Sequence, residues 1–203
     1  MVFTIPFIPK VDFPTLRITS DRLLLRPPAM VDRDEWIALR KRNRDHLVPF
    51  EPRWHKKSLL PHYFKTRLVH QSRSWRLGLS CSFLIFRRSD EALIGGINLN
   101  NICRGAAQCA SPGYWLGEEF QGKGYMTEAL DRVIVYAFEG QKLHRLNAAT
   151  LPHNGRSIKL LRKIGFEEEG FAKAYLQING EWQDHILFGL TADHYLRRSG
   201  ILA

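Results

Sequence analysis

Cysteine is scarce: Cys81, Cys103 and Cys109 are the only three among 203 residues. An odd number without metal-ligand spacing makes neither a disulfide framework nor a zinc site. Reduced, mostly buried thiols are expected. The eight histidines are scattered without a ligand pattern, so no metal is expected. No apolar run approaches the ~18 residues of a membrane span. No signal-peptide pattern opens the chain. A cytoplasmic protein with no membrane partner is the expectation. Repeats, low-complexity tracts and long linkers are also missing, which favours one domain with a full core. Acidic residues are few, 20 against 30 Lys and Arg, for a net charge of +10. That balance attracts polyanions such as phosphorylated ligands or RNA.

What the chain does have is Gln121-Gly122-Lys123-Gly124-Tyr125-Met126 directly before an amphipathic helix. Met126, Ala129, Leu130, Val133, Ile134, Ala137 and Phe138 step by three and one and make a single apolar stripe. Upstream, Tyr114-Trp115-Leu116-Gly117 reads as a strand end. A glycine loop between strand and helix turns bare backbone N–H groups toward the positive end of a helix dipole, where phosphate oxygens bind. Gly117, Gly122 and Lys123 fit the start of a Walker A loop, but Gly124 replaces the hydroxyl that would hold magnesium. A dinucleotide fingerprint from Gly122 and Gly124 finds Thr127 in its third glycine position. A plain β–α turn also fits.

A second junction follows. Residues 145–150 read as a strand. Asn154 suits a helix N-cap and Gly165 a left-handed helix end. Ile158, Leu161 and Ile164 would face the core. Asn154 and Ser157 share the polar first turn, although a capping Asn and an ordinary first-turn Ser are an equally good account of them. Elsewhere, residues 1–15 carry Pro6, Pro9 and Pro14 and suggest an extended or loosely packed arm. Helices are expected over 31–42 and 59–77, and strands over 22–26, 81–87 and 93–102. A hairpin over 171–178 and 182–190 would turn at Asn179-Gly180. The arm (1–15), a body (16–196) and a tail (197–203) are the expected divisions.

Gln121, Gly124 and Met126 occupy the marked positions of the Gln/Arg-x-x-Gly-x-Gly/Ala loop of the GCN5-related N-acetyltransferases, with Met126 in place of the usual small residue. With the Asn154 junction, the segments Pro49-Phe50-Glu51-Pro52 and Asn98 to Gly105, and the tail from Gly165 to His185, the chain resembles the ribosomal-protein branch of that family. The resemblance implies an α/β fold: one domain with a mixed, mostly antiparallel, V-shaped central sheet flanked by helices. It implies a bulge in the strand ending at Leu116. It also implies acetyl-CoA as co-substrate, bound by Leu116, Gly117, Gln121, Gly122, Lys123, Gly124, Tyr125, Met126, Thr127, Asn154 and Ser157. The acceptor it implies is the N-terminal alanine of a small-subunit ribosomal protein. Another primary amine stays open, as does a basic assembly factor that binds the ribosome or pre-ribosomal RNA.

An amine must be neutral to attack a thioester. A chain terminus, with a pKa of about 7.7–8, is far easier to deprotonate than a lysine at about 10.4. A weak base therefore suffices. The carboxylate and tyrosine that relatives use fall at Ala149 and Leu161, so that pair is missing. Ser157 is the resemblance-based candidate for holding the departing thiolate, and the Leu116 N–H for polarising the acetyl carbonyl. Tyr175, Glu118, Glu119, Asp184 and His185 are candidates for the amine proton, with Tyr175 the catalytic choice. Trp54, Trp75 and Tyr175 are candidate walls of the peptide channel.

Overall fold

A computed structural model describes residues 11–198; residues 1–10 of the expected arm and 199–203 of the expected tail lie outside them. The strands are β1 (Ile18–Thr19), β2 (Leu23–Arg26), β3 (Cys81–Arg87), β4 (Leu93–Cys103), β5 (Cys109–Leu116), β6 (Arg145–Thr150), β7 (Glu167–Ile178) and β8 (Glu181–Thr191). The helices are α1 (Arg33–Arg42), α2 (Arg44–Leu47), α3 (Pro61–Arg76), α4 (Tyr125–Val135), α5 (Gly155–Ile164) and α6 (Ala192–Arg198). One eight-stranded sheet runs in the order β1-β2-β3-β4-β5-β6-β8-β7. Every neighbouring pair is antiparallel except β5 and β6.

β3 is buried at Cys81 through Phe86, so both of its faces are covered, as its unbroken apolar run requires. α1 and α3 pack together, α3 on β3 and α1 on β4; α4 runs along β1, β2, β4 and β5. The stripe on α4 is buried as its spacing demands at Ala129, Leu130, Val133 and Ile134, and continues through Ala137 and Phe138 in a π-helical turn (Tyr136–Gly140). α5 starts at Asn154 and stops at Gly165, whose φ of +111° is the left-handed helix end expected there. The β7–β8 hairpin turns at Asn179 and Gly180, with φ of 49° and 92°, a pair of values typical of an Asn-Gly hairpin turn.

The opening of the sheet has a different origin from the one expected. β5 pairs with β4 without a break from Leu116 to Ser111, and the register shift lies between Asn100 and Cys103 of β4. The extra residue is on β4, where Asn101 has φ +51°. On its other side β5 meets β6 only at Cys109↔Arg145 and Ala110↔Leu146. The Gly117 N–H bonds Ile94 O at 3.0 Å. Alternation in an antiparallel ladder then turns the main-chain edge of residues 112, 114 and 116 away from β4, toward β6. Residue 112 is proline and has no N–H to give. The two strands part there.

Two expectations about packing change. Residues 11–15, the described end of the arm, are packed against α3, which removes the looser of the two expected alternatives for that stretch. Asp12 N–H donates to Ser72 Oγ at 2.8 Å, the Ser72 hydroxyl donates to Asp12 O at 2.6 Å, and Phe13 meets Trp75 edge-on. Of the cysteines only Cys81 is buried, and burial pushes its thiol up to about 11; Cys103 is exposed and Cys109 half-buried.

Candidate active site

Where β5 and β6 diverge lies a cleft of about 500 Å³, the size of a small-molecule site. One wall is the end of β5 and the start of α4; the other is one face of α5; α2 and the segment after it close a third side.

The first wall is made of backbone. Gly122 and Gly124 have φ of 72° and 80°, conformations that glycine adopts without strain. α4 begins at Gly124 with no side-chain cap, which leaves first-turn N–H groups for a ligand. Leu116, Gln121, Gly122, Gly124, Tyr125, Met126 and Thr127 all line the cleft. By the alternation above, the amide edges of Tyr114 and Leu116 face it. The loop is braced from behind. Arg22 Nη1 donates to Lys123 O at 3.0 Å, Arg22 Nε to Glu128 Oε2 at 2.7 Å, and Ser20 Oγ to Glu128 Oε1 at 2.6 Å. Burial opposes the Glu128 charge, but the hydrogen bonds from Ser20 and Arg22 win and hold its pKa below the usual glutamate value.

Two of the expected loop contacts are not made by side chains or Cα atoms at the cleft. Lys123 stands outside the lining, with Nζ donating to Glu119 O at 2.8 Å. Gly117 is also outside it; a Cβ there would sit 2.9 Å from Leu39 Cδ1 and 2.8 Å from Glu119 Oε2, so close packing explains this glycine.

The second wall is made of side chains. Asn154 Oδ1 accepts the Ser157 N–H at 3.1 Å, and both residues line the cleft with Arg156, Lys159, Leu160 and Lys163. Positions 156, 159, 160 and 163 share one helical face. Its three cations are not among the expected site residues, although their spacing follows once Asn154 is the cap. Arg156 Nη1 donates to Gln121 Oε1, and Gln121 Nε2 meets His46 Nε2. A guanidinium only donates, so Gln121 presents its oxygen to Arg156 and its amide NH2 to His46, which accepts. Gln121 thereby joins α2, the loop and α5.

Ser157 Oγ lies 2.8 Å from Tyr114 Oη, across the opening between α5 and β5. Burial raises the Tyr114 phenol to about 12. Tyr114 lines the cleft, although in the sequence it stands only as part of a strand end.

The candidates for the amine proton are elsewhere. Tyr175 is exposed, packs edge-on against the His185 ring 5.9 Å away, and is not in the lining. Its expected aim relied on strand alternation. The β7 register shifts between Ala172 and Leu176, where Ala174 N–H donates to Asp184 Oδ1 at 2.8 Å and Ala174 has φ +45°. That bulge breaks the alternation. His185 is buried, with Nδ1 2.9 Å from Gln183 O. Glu119 pairs with Arg42, and neither it nor Glu118 reaches the lining. The carboxylate that does is Glu51, which is gripped by both terminal nitrogens of Arg40 and by Trp54 Nε1 at 2.7 Å. Trp54 covers Arg40 at 4.2 Å. Trp75 packs on Phe13 and Phe83 and is not a wall.

A split sheet, an uncapped glycine-led helix start and a facing capped helix form one open slot. Residues 22–167 match the family model described as an acetyltransferase (GNAT) domain. The chain belongs to the GNAT acetyltransferase family. It is 39% identical over 180 residues to the [ribosomal protein uS5]-alanine N-acetyltransferase of Escherichia coli K12, which covers 88% of this chain and 92% of that one. The ribosomal-protein-S5-alanine acetyltransferase structure from Vibrio fischeri superposes with a TM-score of 0.82 at 34% identity, over 89% of this chain and 98% of that one. Mycobacterium smegmatis RimJ in complex with CoA-disulfide superposes at 0.81 and 31%, over 88% and 89%. The GNAT fold carries an acetyl-CoA site, and the residues present suit such a ligand: open left-handed glycines, unmet helix amides and a cationic facing helix. Among the described residues no group of three or more His, Cys, Asp or Glu is placed to hold a metal. No helix among them is long and apolar enough to cross a membrane.

Proposed function

We propose that this GNAT protein transfers the acetyl group of acetyl-CoA to the N-terminal alanine amino group of the small-subunit ribosomal protein uS5. The observation that carries the reading is near-full-length similarity to enzymes named for that reaction, joined to a cleft with the matching chemistry. Such a substrate places the work in the cytoplasm. The net charge of +10 suits an enzyme that meets its substrate amid ribosomal RNA.

Acetyl-CoA supplies an activated acyl thioester. The loop amides of Gln121 to Thr127 take its diphosphate, with Arg156 and Lys159 adding positive charge from α5. The Tyr114 and Leu116 amide edges guide the arm as an added strand would, and one of their N–H groups polarises the acetyl carbonyl. Ser157 donates a hydrogen bond to the sulfur as the acyl bond breaks. A terminal α-amine needs little help to lose its proton near neutral pH, which suits a cleft whose lining carboxylate is occupied by Arg40. Positioning of amine and thioester then supplies much of the rate.

Intact-mass spectra of ribosomal proteins from cells with and without this gene test the proposal. The expected result is loss of one acetyl group from uS5 alone. An unchanged uS5 with a shift on another ribosomal protein reassigns the substrate, and no shift on any of them overturns the proposal. Replacing Ser157 with Ala should slow turnover about tenfold at saturating peptide, the value of one hydrogen bond to a developing charge.

A further inference from the structure

Ser157 has one hydrogen. To stabilise a departing sulfur it must point that hydrogen into the cleft, and nothing in a serine rotor alone ensures this. Two contacts fix the residue. Asn154 Oδ1 takes its N–H at 3.1 Å, which sets the backbone. Tyr114 Oη lies 2.8 Å from Oγ, which sets the hydroxyl. If the serine donated in this second bond, its hydrogen would be spent on Tyr114. If the phenol donates, the serine accepts with a lone pair and its hydrogen is left for the sulfur.

We infer that Tyr114 is a positioning residue for acyl transfer: its phenol O–H donates to Ser157 Oγ and turns the serine hydrogen toward the leaving sulfur. The inference rests on the Ser157 role proposed above. Tyr114 is suited to it. Burial keeps the phenol in its neutral, donating form up to about pH 12. Its hydrogen bond among the described residues is to Ser157. It projects from β5, the wall opposite α5, so the bond spans the parting of the sheet where the thioester end of the arm would lie.

The step balances without consuming either hydroxyl. The amine nitrogen bonds the acyl carbon, the carbon–sulfur bond breaks, and its electron pair leaves on sulfur. The amine's proton passes to solvent or to the thiolate. Ser157 and Tyr114 finish with the hydrogens they began with. A phenol that releases its proton only near pH 12 does not protonate a thiolate outright, so its contribution is orientation and polarisation, cooperative along the two-bond chain.

The test compares the full chain with Tyr114→Phe, Ser157→Ala and the double variant, using acetyl-CoA and a peptide beginning with alanine. Phe keeps the buried ring, and a melting curve checks that the fold is retained. Tyr114→Phe should lower kcat about three- to tenfold, the worth of one neutral hydrogen bond, with KM for acetyl-CoA unchanged. The double variant should be no slower than Ser157→Ala, because both changes remove the same function. A wild-type kcat in Tyr114→Phe, a rise in KM in place of a fall in kcat, or losses that multiply in the double variant would each overturn the inference. If Ser157→Ala is slow while Tyr114→Phe is not, only the Tyr114 inference falls. If Ser157→Ala keeps full rate, the proposed role of Ser157 falls and this inference falls with it.

Discussion

The helix starts facing each other across the cleft meet the same need in opposite ways. Every helix begins with N–H groups that lack intrahelical partners. α5 satisfies one internally, through Asn154, and then offers Arg156 and Lys159 as side chains. α4 has no side-chain cap and two left-handed glycines before it, so its amides are kept for whatever binds. One wall recognises with main chain and depends on backbone conformation. The other recognises with side chains and depends on charge.

The sharpest way to break that contrast is to exchange glycines. Gly124→Val puts a β-branched residue at φ +80°, a strain of about 1–3 kcal/mol. Calorimetry should show acetyl-CoA affinity reduced about thirtyfold if some 2 kcal/mol is lost from binding. Gly155→Ala, at the start of α5 with open space around its missing Cβ, should leave affinity unchanged; an equal loss there would erase the distinction. Next in size, Asn154→Ala should cost about 1 kcal/mol of stability and lower the melting temperature by about 2–4 °C. Arg156→Gln should weaken acetyl-CoA binding about two- to fivefold at low salt, with the difference shrinking as salt rises. A loss that does not change with salt would mean that Arg156 acts through Gln121, not through charge.

The smallest effect concerns the brace behind the first wall. The Glu128 pKa is lowered in the folded protein. Its stabilisation is therefore present above the ordinary glutamate range and is lost as pH falls through the depressed folded value. Glu128→Gln should melt slightly below the parent at pH 7, and the gap should close under acid. A gap that persists there would assign the defect to packing.

What the sequence made legible was local. The glycine loop, the α4 stripe, the Asn154 cap, the Gly165 stop and the Asn-Gly turn each depend on residues a few positions apart, and each stands where expected. What it hid depends on contacts made at long range. Tyr114 and Ser157 are 43 positions apart, and only the divergence of β5 and β6 brings them face to face. Tyr175 was misdirected by a bulge that period-two alternation cannot foresee. Glu51 lines the cleft in the grip of Arg40, eleven positions earlier, a pairing that no motif encodes. The opening itself was assigned to an irregularity in β5, whereas the irregular backbone is on β4 and β5 contributes a proline.

Pro112 thus behaves like an omitted stitch. The two leaves of fabric share ladder stitches only at Cys109 with Arg145 and Ala110 with Leu146, and beyond them are tied side chain to side chain, Ser157 to Tyr114 and Arg156 to Gln121. Any slight rotation about that short seam moves the far lips most and the inner end least.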